Sequence, residues 1–522
     1  MGRLAVAVIV SSWVIPISIL VNCIVPDPYM DEIFHVPQAQ QYCKGNFSSW
    51  DPMITIYHSP WLMINSFSCI DMMLNLLSSY YLGLGMLCIE AVPSFFDACA
   101  TVALRSTNGV LAVICSIVVH EIISQLRPKL DKRRATLYTV VLALHPLHWF
   151  FTYLYYTDVA SLTAVLASYL MCTKKNYPLS AALGALAVFV RQTNIIWILF
   201  VACGGIIDYT WRFQKDKHCD QLDDSSVLDE KDDWLALGKT AATESNLRRR
   251  RLSNFVDTSE HITSRNISSS SNSSDLIDDI KEILVTSWYI KWRLLLIFSP
   301  YFMLLLAFVG FVYWNGSIVL GAKEAHAISP HFAQLMYFGL ISSLFMVPVH
   351  FTLSQTAVLF QSFCKSRVLG VVLWFTGFTT AFLSVHYFSI AHPYLLADNR
   401  HYTFYLWRKI INVHWSTKYL MVPLYVYSWF SIFSTLAKFQ KKVWVLVYFL
   451  ACAAVLIPSP LIEFRYYTIP FFFLIIHSHI NSDRNWVLMG ILYTVINIFT
   501  MAMFLFKPFS WHHEAGIQRF IW

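Results

Sequence analysis

Long apolar runs separated by short polar breaks recur along almost the whole chain. The first reaches from Leu4 to Val25, and a helix needs roughly 20 apolar residues to cross a bilayer. That exceeds the apolar core of a cleavable signal, roughly 7–15 residues, so the run reads as an uncleaved first span. Further spans are expected near 97–123, 136–153, 158–173, 178–190, 195–210, 291–314, 332–350, 368–388, 418–436, 443–458, 465–480 and 486–506. With the first, that makes about thirteen transmembrane helices. The two runs flanking Arg191 are short, as in helices broken around a cavity. The apolar stretch from Trp61 to Ile89 carries Asn65, Asp71 and Asn75, and reads as interfacial or re-entrant helices. Residues 211–288 break the pattern with Asp223-Asp224, the run Arg248–Arg251 and a Ser/Asn tract, and read as a disordered insert.

Composition agrees with the pattern. Of 522 residues, 57% are hydrophobic and 13% charged, against about 25% charged in soluble proteins. The fold class expected is an all-α polytopic membrane protein, with an N-terminal membrane region (1–210), the insert, and a C-terminal membrane region (289–522). The net charge of +7 gathers in short loops: Arg127 to Arg134, Lys174-Lys175, Lys365 to Arg367 and Lys438 to Lys442. Such loops stay in the cytosol, which accounts for the charge without nucleic acid. Residues 26–94 then face the other side, the lumen of the endoplasmic reticulum in a eukaryotic chain. The eleven cysteines show no CxxC and no zinc spacing. Those in apolar runs (Cys115, Cys172, Cys203, Cys452) read as small buried hydrophobes. Cys43, Cys69 and Cys88 fall on the oxidising side, with no pairing that spacing selects. The sequon Asn46-Phe47-Ser48 falls there too, whereas those at Asn266 and Asn272 fall in the cytosolic insert.

With this topology the unusual polar groups collect on one face. Asp31-Glu32 with His35 follows the first span, where charge is costly unless solvated or paired. Asp158, Arg191, His326, His331 and the stretch 395–409 join them, the last with Asp398, Arg400, His401, Tyr402, Arg408 and Lys409. Glu463 and Arg465 complete the set. Each has a plainer use: Asp31 or Asp158 as a helix cap, Arg191 in an interhelical pair, Glu463 with Arg465 as an internal ion pair. Together they suit a reaction on a lipid-linked phosphate. Cationic donors hold the phosphate at the interface, and a carboxylate takes the proton of an attacking sugar hydroxyl. No nucleophile triad, P-loop or Rossmann glycine pattern is present to support hydrolysis or nucleotide chemistry.

The stretches YMDEIFHVPQAQQYC (29–43), WDPMIT (50–55), RQTNIIW (191–197), LLADNRHYTFYLWRK (395–409), LIEFRYY (461–467) and Ile517-Gln518-Arg519-Phe520 carry a resemblance. They resemble the dolichyl-phosphate-glucose-dependent α-1,2-glucosyltransferases of the endoplasmic reticulum, over nearly the whole chain outside the insert. The resemblance implies a GT-C type membrane glycosyltransferase with its active site in the lumen. It implies transfer of the terminal glucose from dolichyl phosphate glucose to the diglucosylated lipid-linked oligosaccharide of protein N-glycosylation, with inversion. Asp31 is then the base, with Glu32 its neighbour or substitute. Donor phosphate and substrate contacts fall to Arg400, His401, Arg465 and Arg191, with Asp398, Arg408, Lys409, His326 and Tyr402 around them. No cofactor or metal is expected, since cationic side chains serve the phosphate. The chain departs from the family pattern at Ala322, where relatives carry an acid, and at Tyr57-His58-Ser59-Pro60. The resemblance also implies two alternatives: a non-catalytic regulator associated with a potassium channel, and the same fold using another dolichol-linked sugar.

Overall fold

The structure is a computed structural model that describes residues 2–46, 48–49, 51, 53–54, 99–236, 276–319, 329–365, 367–511 and 516–522. The expected interfacial helices of 61–89, His326, Ala322, Cys69, Cys88 and the two insert sequons lie outside the described residues. The described chain is helical almost throughout, as its apolar runs require: a helix satisfies every backbone group internally where lipid cannot. Among the described residues, five helices are long and apolar enough to cross a membrane, α1 (Gly2–Ile24) being the first.

Two compact units are separable. The first comprises Met1–Gly205 with Leu295–Trp522, the second Ile206–Leu294. In the first, α1 is followed by α2 (Glu32–Cys43), α3 (Thr101–Leu126), α4 (Lys132–Ala143), α5 (Pro146–Phe151), α6 (Thr157–Thr173) and α7 (Tyr177–Val190). Helix α6 is buried along nearly its whole length and packs between α3 and α7. The span expected at 136–153 is broken between α4 and α5, where Pro146 lacks the N–H a continuing helix needs. Asn108 of α3 repairs the next break, donating from Nδ2 to the carbonyls of Leu154 (2.6 Å) and Tyr156 (2.7 Å).

Beyond Asn194 the chain stays helical as α8 (Asn194–Ala236), well past the expected end at 210. After it come α9 (Leu276–Tyr289), α10 (Lys291–Ile297) and α11 (Ser299–Asn315). The stretch 211–288 expected to be disordered is therefore helical at both described ends; 237–275 lie outside the described residues. Within the second unit, Gln214 Nε2 donates to Thr286 Oγ1 at 2.7 Å, and Asp208 pairs with Arg212 one turn on. The single span expected at 291–314 is bent by 72° between α10 and α11, at Pro300.

The later helices of the first unit are α12 (Ala333–Phe345), α13 (Val347–His350), α14 (Leu353–Lys365), α15 (Arg367–Tyr387), α16 (Pro393–Ala397), α17 (Tyr402–Leu406), α18 (Thr417–Leu420), α19 (Val422–Leu436), α20 (Lys442–Leu456), α21 (Thr468–His477) and α22 (Asp483–Phe506). Helices α12 and α19 meet closely: a Cβ on Gly339 would lie 2.6 Å from Trp429 Nε1, which donates to the Leu335 carbonyl. After α22, β1 (Phe509–Ser510) pairs antiparallel with β2 (Ile517–Gln518). The following residues return to the α1–α2 turn.

Candidate active site

Asp31 and Glu32 are neighbours with different fates. Asp31 is the N-cap residue of α2, with helical backbone angles, but its carboxylate makes no capping bond. It turns instead to Arg465, whose NH1 lies 2.8 Å from Oδ2. Successive residues at a helix start point about 100° apart, and Glu32 accordingly faces inward. It accepts Arg105 Nε (2.9 Å) and NH2 (2.6 Å) and the backbone N–H groups of Tyr29 (3.1 Å) and Tyr155 (2.6 Å). Arg105 also donates to the carbonyls of Val25 and Asp27, tying the end of α1 to α2. Between Tyr29 and Asp31, Met30 has a φ of 57°, a left-handed backbone that side chains other than glycine adopt at a cost. The Tyr156 hydroxyl accepts the Asp31 N–H at 3.1 Å.

Arg465 is the hub. Besides Asp31, its NH2 reaches Glu463 Oε2 at 2.8 Å, and NH1 lies 3.8 Å from Asp158 Oδ2. Its guanidinium also lies 5.4 Å from the Tyr156 ring centre and 5.6 Å from that of Phe151, within cation–π range. Arg191 takes the other Asp158 oxygen at 3.0 Å. Gln334 holds the 459–461 turn before the hub, donating to the carbonyls of Ser459 and Leu461, and accepts the Tyr467 hydroxyl. Of the cluster's carboxylates only Asp31 is substantially open: its side chain is 41% exposed, against 7% for Asp158, 12% for Glu463 and none for Glu32.

Electrostatics follow from this geometry. Burial pushes the Asp31 pKa up, but the adjacent Arg465 pulls harder and holds it below the ordinary carboxylate value. Burial lowers the pKa of His35, one turn further along α2, with Asp31 partly offsetting it, so the imidazole is neutral near pH 7. Burial also opposes the charge of Arg465, and its carboxylate neighbours outweigh that, so it stays a cation.

The 398–411 stretch comes near this cluster at His401. Asp398 binds Arg400 through two parallel bonds, Nε to Oδ1 (2.9 Å) and NH2 to Oδ2 (2.8 Å), and its pKa is lowered by Arg400 and His401 against the effect of burial. Arg400 NH1 donates to Gln518 Oε1 at 3.0 Å, and its guanidinium lies 4.7 Å from the Trp511 ring centre. His401 stands within electrostatic reach of Asp31 and meets the Trp522 backbone oxygen at 3.0 Å through Nδ1. Tyr402 stacks on Phe520 and meets Trp522 edge-on, its hydroxyl buried with no hydrogen bond among the described residues. Arg408 and Lys409 lie on a π-helical turn, Trp407–Ile411, both exposed and with no ion pair among the described residues.

The structure thus gathers Asp31, Arg191, Arg465, Asp158 and Glu463 in one cluster, with His401 nearby. It spends the guanidinium groups of Arg465, Arg191 and Arg400 on carboxylates. Neither Asp31 nor Asp158 caps a helix through its side chain. Sequence reasoning missed Arg105, although a buried arginine inside an apolar run is itself a signal. It also missed Gln334, whose amide side chain looks ordinary in such a chain, while Tyr156 stands in the luminal run Tyr155-Tyr156-Thr157-Asp158 that the sequence does mark. Cys43 is bonded to Cys99, at a Cα separation of 6.3 Å, which closes the loop that begins at α2.

Comparison with known proteins agrees on one family. The profile of the DIE2/ALG10 family matches residues 25–476. A Dol-P-Glc:Glc(2)Man(9)GlcNAc(2)-PP-Dol alpha-1,2-glucosyltransferase of Arabidopsis thaliana is 54% identical over 526 residues, covering 100% of both chains. Proteins of the same name from Mus musculus and Homo sapiens are each 32% identical, covering 95% of this chain and 93% of theirs. No solved structure matches the chain.

Proposed function

The chain belongs to the DIE2/ALG10 family, and on that premise we infer that it is an α-1,2-glucosyltransferase acting on the lipid-linked oligosaccharide. It transfers glucose from dolichyl phosphate glucose to the diglucosylated, diphosphate-linked acceptor. We place it in the endoplasmic reticulum membrane, with Asp31 on the luminal side. The Cys43–Cys99 bond supports that side, because disulfides persist in oxidising compartments. We place it in a GT-C architecture of about thirteen spans; among the described residues, five helices of crossing length, one bent pair and four shorter apolar helices support a polytopic fold.

One observation carries the catalytic reading: Asp31 alone among four gathered carboxylates is both ionised and open. The acceptor's 2-hydroxyl attacks C1 of the donor glucose; the C1–O bond to phosphate breaks as the new glycosidic bond forms. The hydroxyl proton passes to Asp31 and dolichyl phosphate leaves as the anion. One displacement inverts the configuration at C1. A carboxylate this acidic is a weak base, so it receives the proton late, once bond formation has acidified the hydroxyl. Arg465 keeps Glu463 and Asp158 as Asp31 neutralises, so the hub survives the transfer. Glu32, with its oxygens already committed to Arg105 and two backbone amides, holds the turn. The leaving phosphate goes to Arg408 and Lys409, which have no ion pair among the described residues, with His401 within electrostatic reach of Asp31. Those groups supply its charge balance without a metal ion.

The test is transfer by purified protein, with dolichyl phosphate glucose and, for comparison, dolichyl phosphate mannose. Asp31→Asn should remove glucose transfer while leaving folding intact; undiminished transfer would refute the base assignment. Preference for the mannosyl donor would refute the substrate.

A further inference from the structure

The segment after β1 does more than close the fold. Tyr29 and Arg519 are buried against each other: the Tyr29 hydroxyl donates to the Arg519 carbonyl and accepts the Arg519 N–H, both at 2.7 Å. The Arg519 guanidinium turns away and donates through NH1 to the carbonyls of Phe504 (2.8 Å) and Leu505 (2.9 Å). Those carbonyls belong to the last turn of α22, which lacks intrahelical partners. Tyr29 is thereby tied to a rigid helix end. Two residues further along the chain, Ile521 forms a parallel bridge with His401, donating its N–H to the Arg400 carbonyl (2.9 Å) and accepting from Tyr402 N–H (3.1 Å). Trp522 then packs on Tyr402 and on Phe464, next to Arg465. One short segment touches the loops that carry Asp31, His401 and Arg465.

What it holds is strained. Met30 keeps its left-handed backbone between two anchored residues: Tyr29, fixed to Arg519, and Asp31, whose N–H is fixed to Tyr156. Such a conformation persists only where its surroundings impose it. Released, the turn relaxes toward ordinary angles and the Asp31 carboxylate swings off Arg465.

We propose that Ile517–Trp522 is a positioning strap for the transfer site: it clamps Tyr29 to maintain the Met30 turn that aims Asp31, and pairs with 400–402 to keep the 398–411 stretch in register. The strap touches no reacting atom and acts through Asp31 and His401. This rests on Asp31 being the base.

The test uses the full-length enzyme with Tyr29→Phe, Arg519→Met, Arg519→Lys and Met30→Gly. Tyr29→Phe keeps the ring on Phe504 and loses the hydroxyl alone. Displacing a reacting group by about 1 Å costs on the order of 100-fold. We expect kcat to fall roughly 10- to 100-fold in Tyr29→Phe and Arg519→Met, with KM for both substrates near wild type. Arg519→Lys, which keeps a donor for the α22 carbonyls, should retain most of the activity. Glycine takes the left-handed backbone without strain, so Met30→Gly should restore part of the loss in Tyr29→Phe. The titratable groups facing Asp31 are Arg465, His35, His401 and Tyr156, with Asp158 and Glu463 behind Arg465. As Asp31 leaves Arg465, the acid limb of kcat should move up toward the ordinary carboxylate range. A merely structural strap would lower stability without moving that limb. Wild-type kcat and pH profile in Tyr29→Phe and Arg519→Met would overturn the proposal. So would a loss that vanishes when the assay is run below the variants' melting temperature. If Asp31→Asn itself retains transfer, the base assignment fails, whatever the strap variants do.

Discussion

The contrast between Asp31 and Glu32 yields the sharpest prediction: adjacent carboxylates should fail in different ways. Glu32 and Arg105 are buried, with side chains 0% and 1% exposed, and they share two hydrogen bonds. Arg105→Met leaves Glu32 with only the Tyr29 and Tyr155 amides, and severs the ties to Val25 and Asp27. Breaking one partner of such a buried pair costs about 3–5 kcal/mol. Asp31 is half open, and removing its charge should cost about 0–1 kcal/mol of stability. Thermal unfolding of purified protein in one detergent, alongside turnover, separates the two. Asp31→Asn should melt near wild type with turnover gone. Arg105→Met should melt far lower, and its turnover should fall with its folded fraction. The double variant Glu32→Gln/Arg105→Met buries no unpaired charge, so it should cost about 1–3 kcal/mol less than the sum of the singles. An unchanged melting point in Arg105→Met would refute the assignment. So would a well-folded Glu32→Gln that has lost turnover beside an active Asp31→Asn.

The other predictions need less argument. Arg408→Ala and Lys409→Ala should each raise KM for the donor about 10-fold, the worth of roughly 1.4 kcal/mol, and leave KM for the acceptor unchanged, as titrations of each substrate will show. Activity should survive EDTA; abolition restored by manganese would count against a phosphate held by side chains alone. With Asp31 as the proposed base, its anion is the active form and its pKa lies below the ordinary value, so kcat should hold down through mildly acidic pH and fall only as pH drops through that lowered pKa. Removing the pull with Arg465→Met should bring the acid limb to higher pH. Asn46 is exposed, with Ser48 Oγ donating to its side-chain oxygen at 3.0 Å. If it faces the lumen it should carry a glycan that peptide N-glycosidase removes and Asn46→Gln abolishes.

Much of the fold was legible because apolar runs of helical length admit few alternatives in lipid. Most expected spans lie within a few residues of observed helices. The misses have local causes. Pro146 and Pro300 break spans that mean hydropathy reads as continuous, and α8 outlasts its apolar stretch as a helix into polar sequence. At the site, residue type was legible and pairing was not. Topology grouped Asp31, Arg191 and Arg465 on one face, but nothing in the spacing says that Arg465 would spend itself on Asp31 and Glu463 rather than on a phosphate. Nor does spacing distinguish Asp31 from Glu32. Their difference depends on Arg105, some seventy residues away, and on which side of one helical turn faces the core.

The way the arginines are spent has a consequence for how the two substrates enter. The hub holds three carboxylates, Asp31, Asp158 and Glu463, against two guanidinium groups, Arg465 and Arg191. With His35 neutral, it carries an excess negative charge. A phosphate diester would be repelled there, whereas a neutral sugar hydroxyl finds an acceptor in Asp31. Arg408 and Lys409, with no ion pair among the described residues, stand on the π turn, where an anion is favoured. On the proposed assignment, charge sorts the acceptor hydroxyl to Asp31 and the donor phosphate to Arg408 and Lys409, with C1 between them. An in-line displacement needs that arrangement: nucleophile and leaving group on opposite faces of the same carbon. A cluster with its arginines free would attract the phosphate to the side where the hydroxyl must attack. With Arg465 and Arg191 held by carboxylates, the proposed attacking side offers no competing phosphate site.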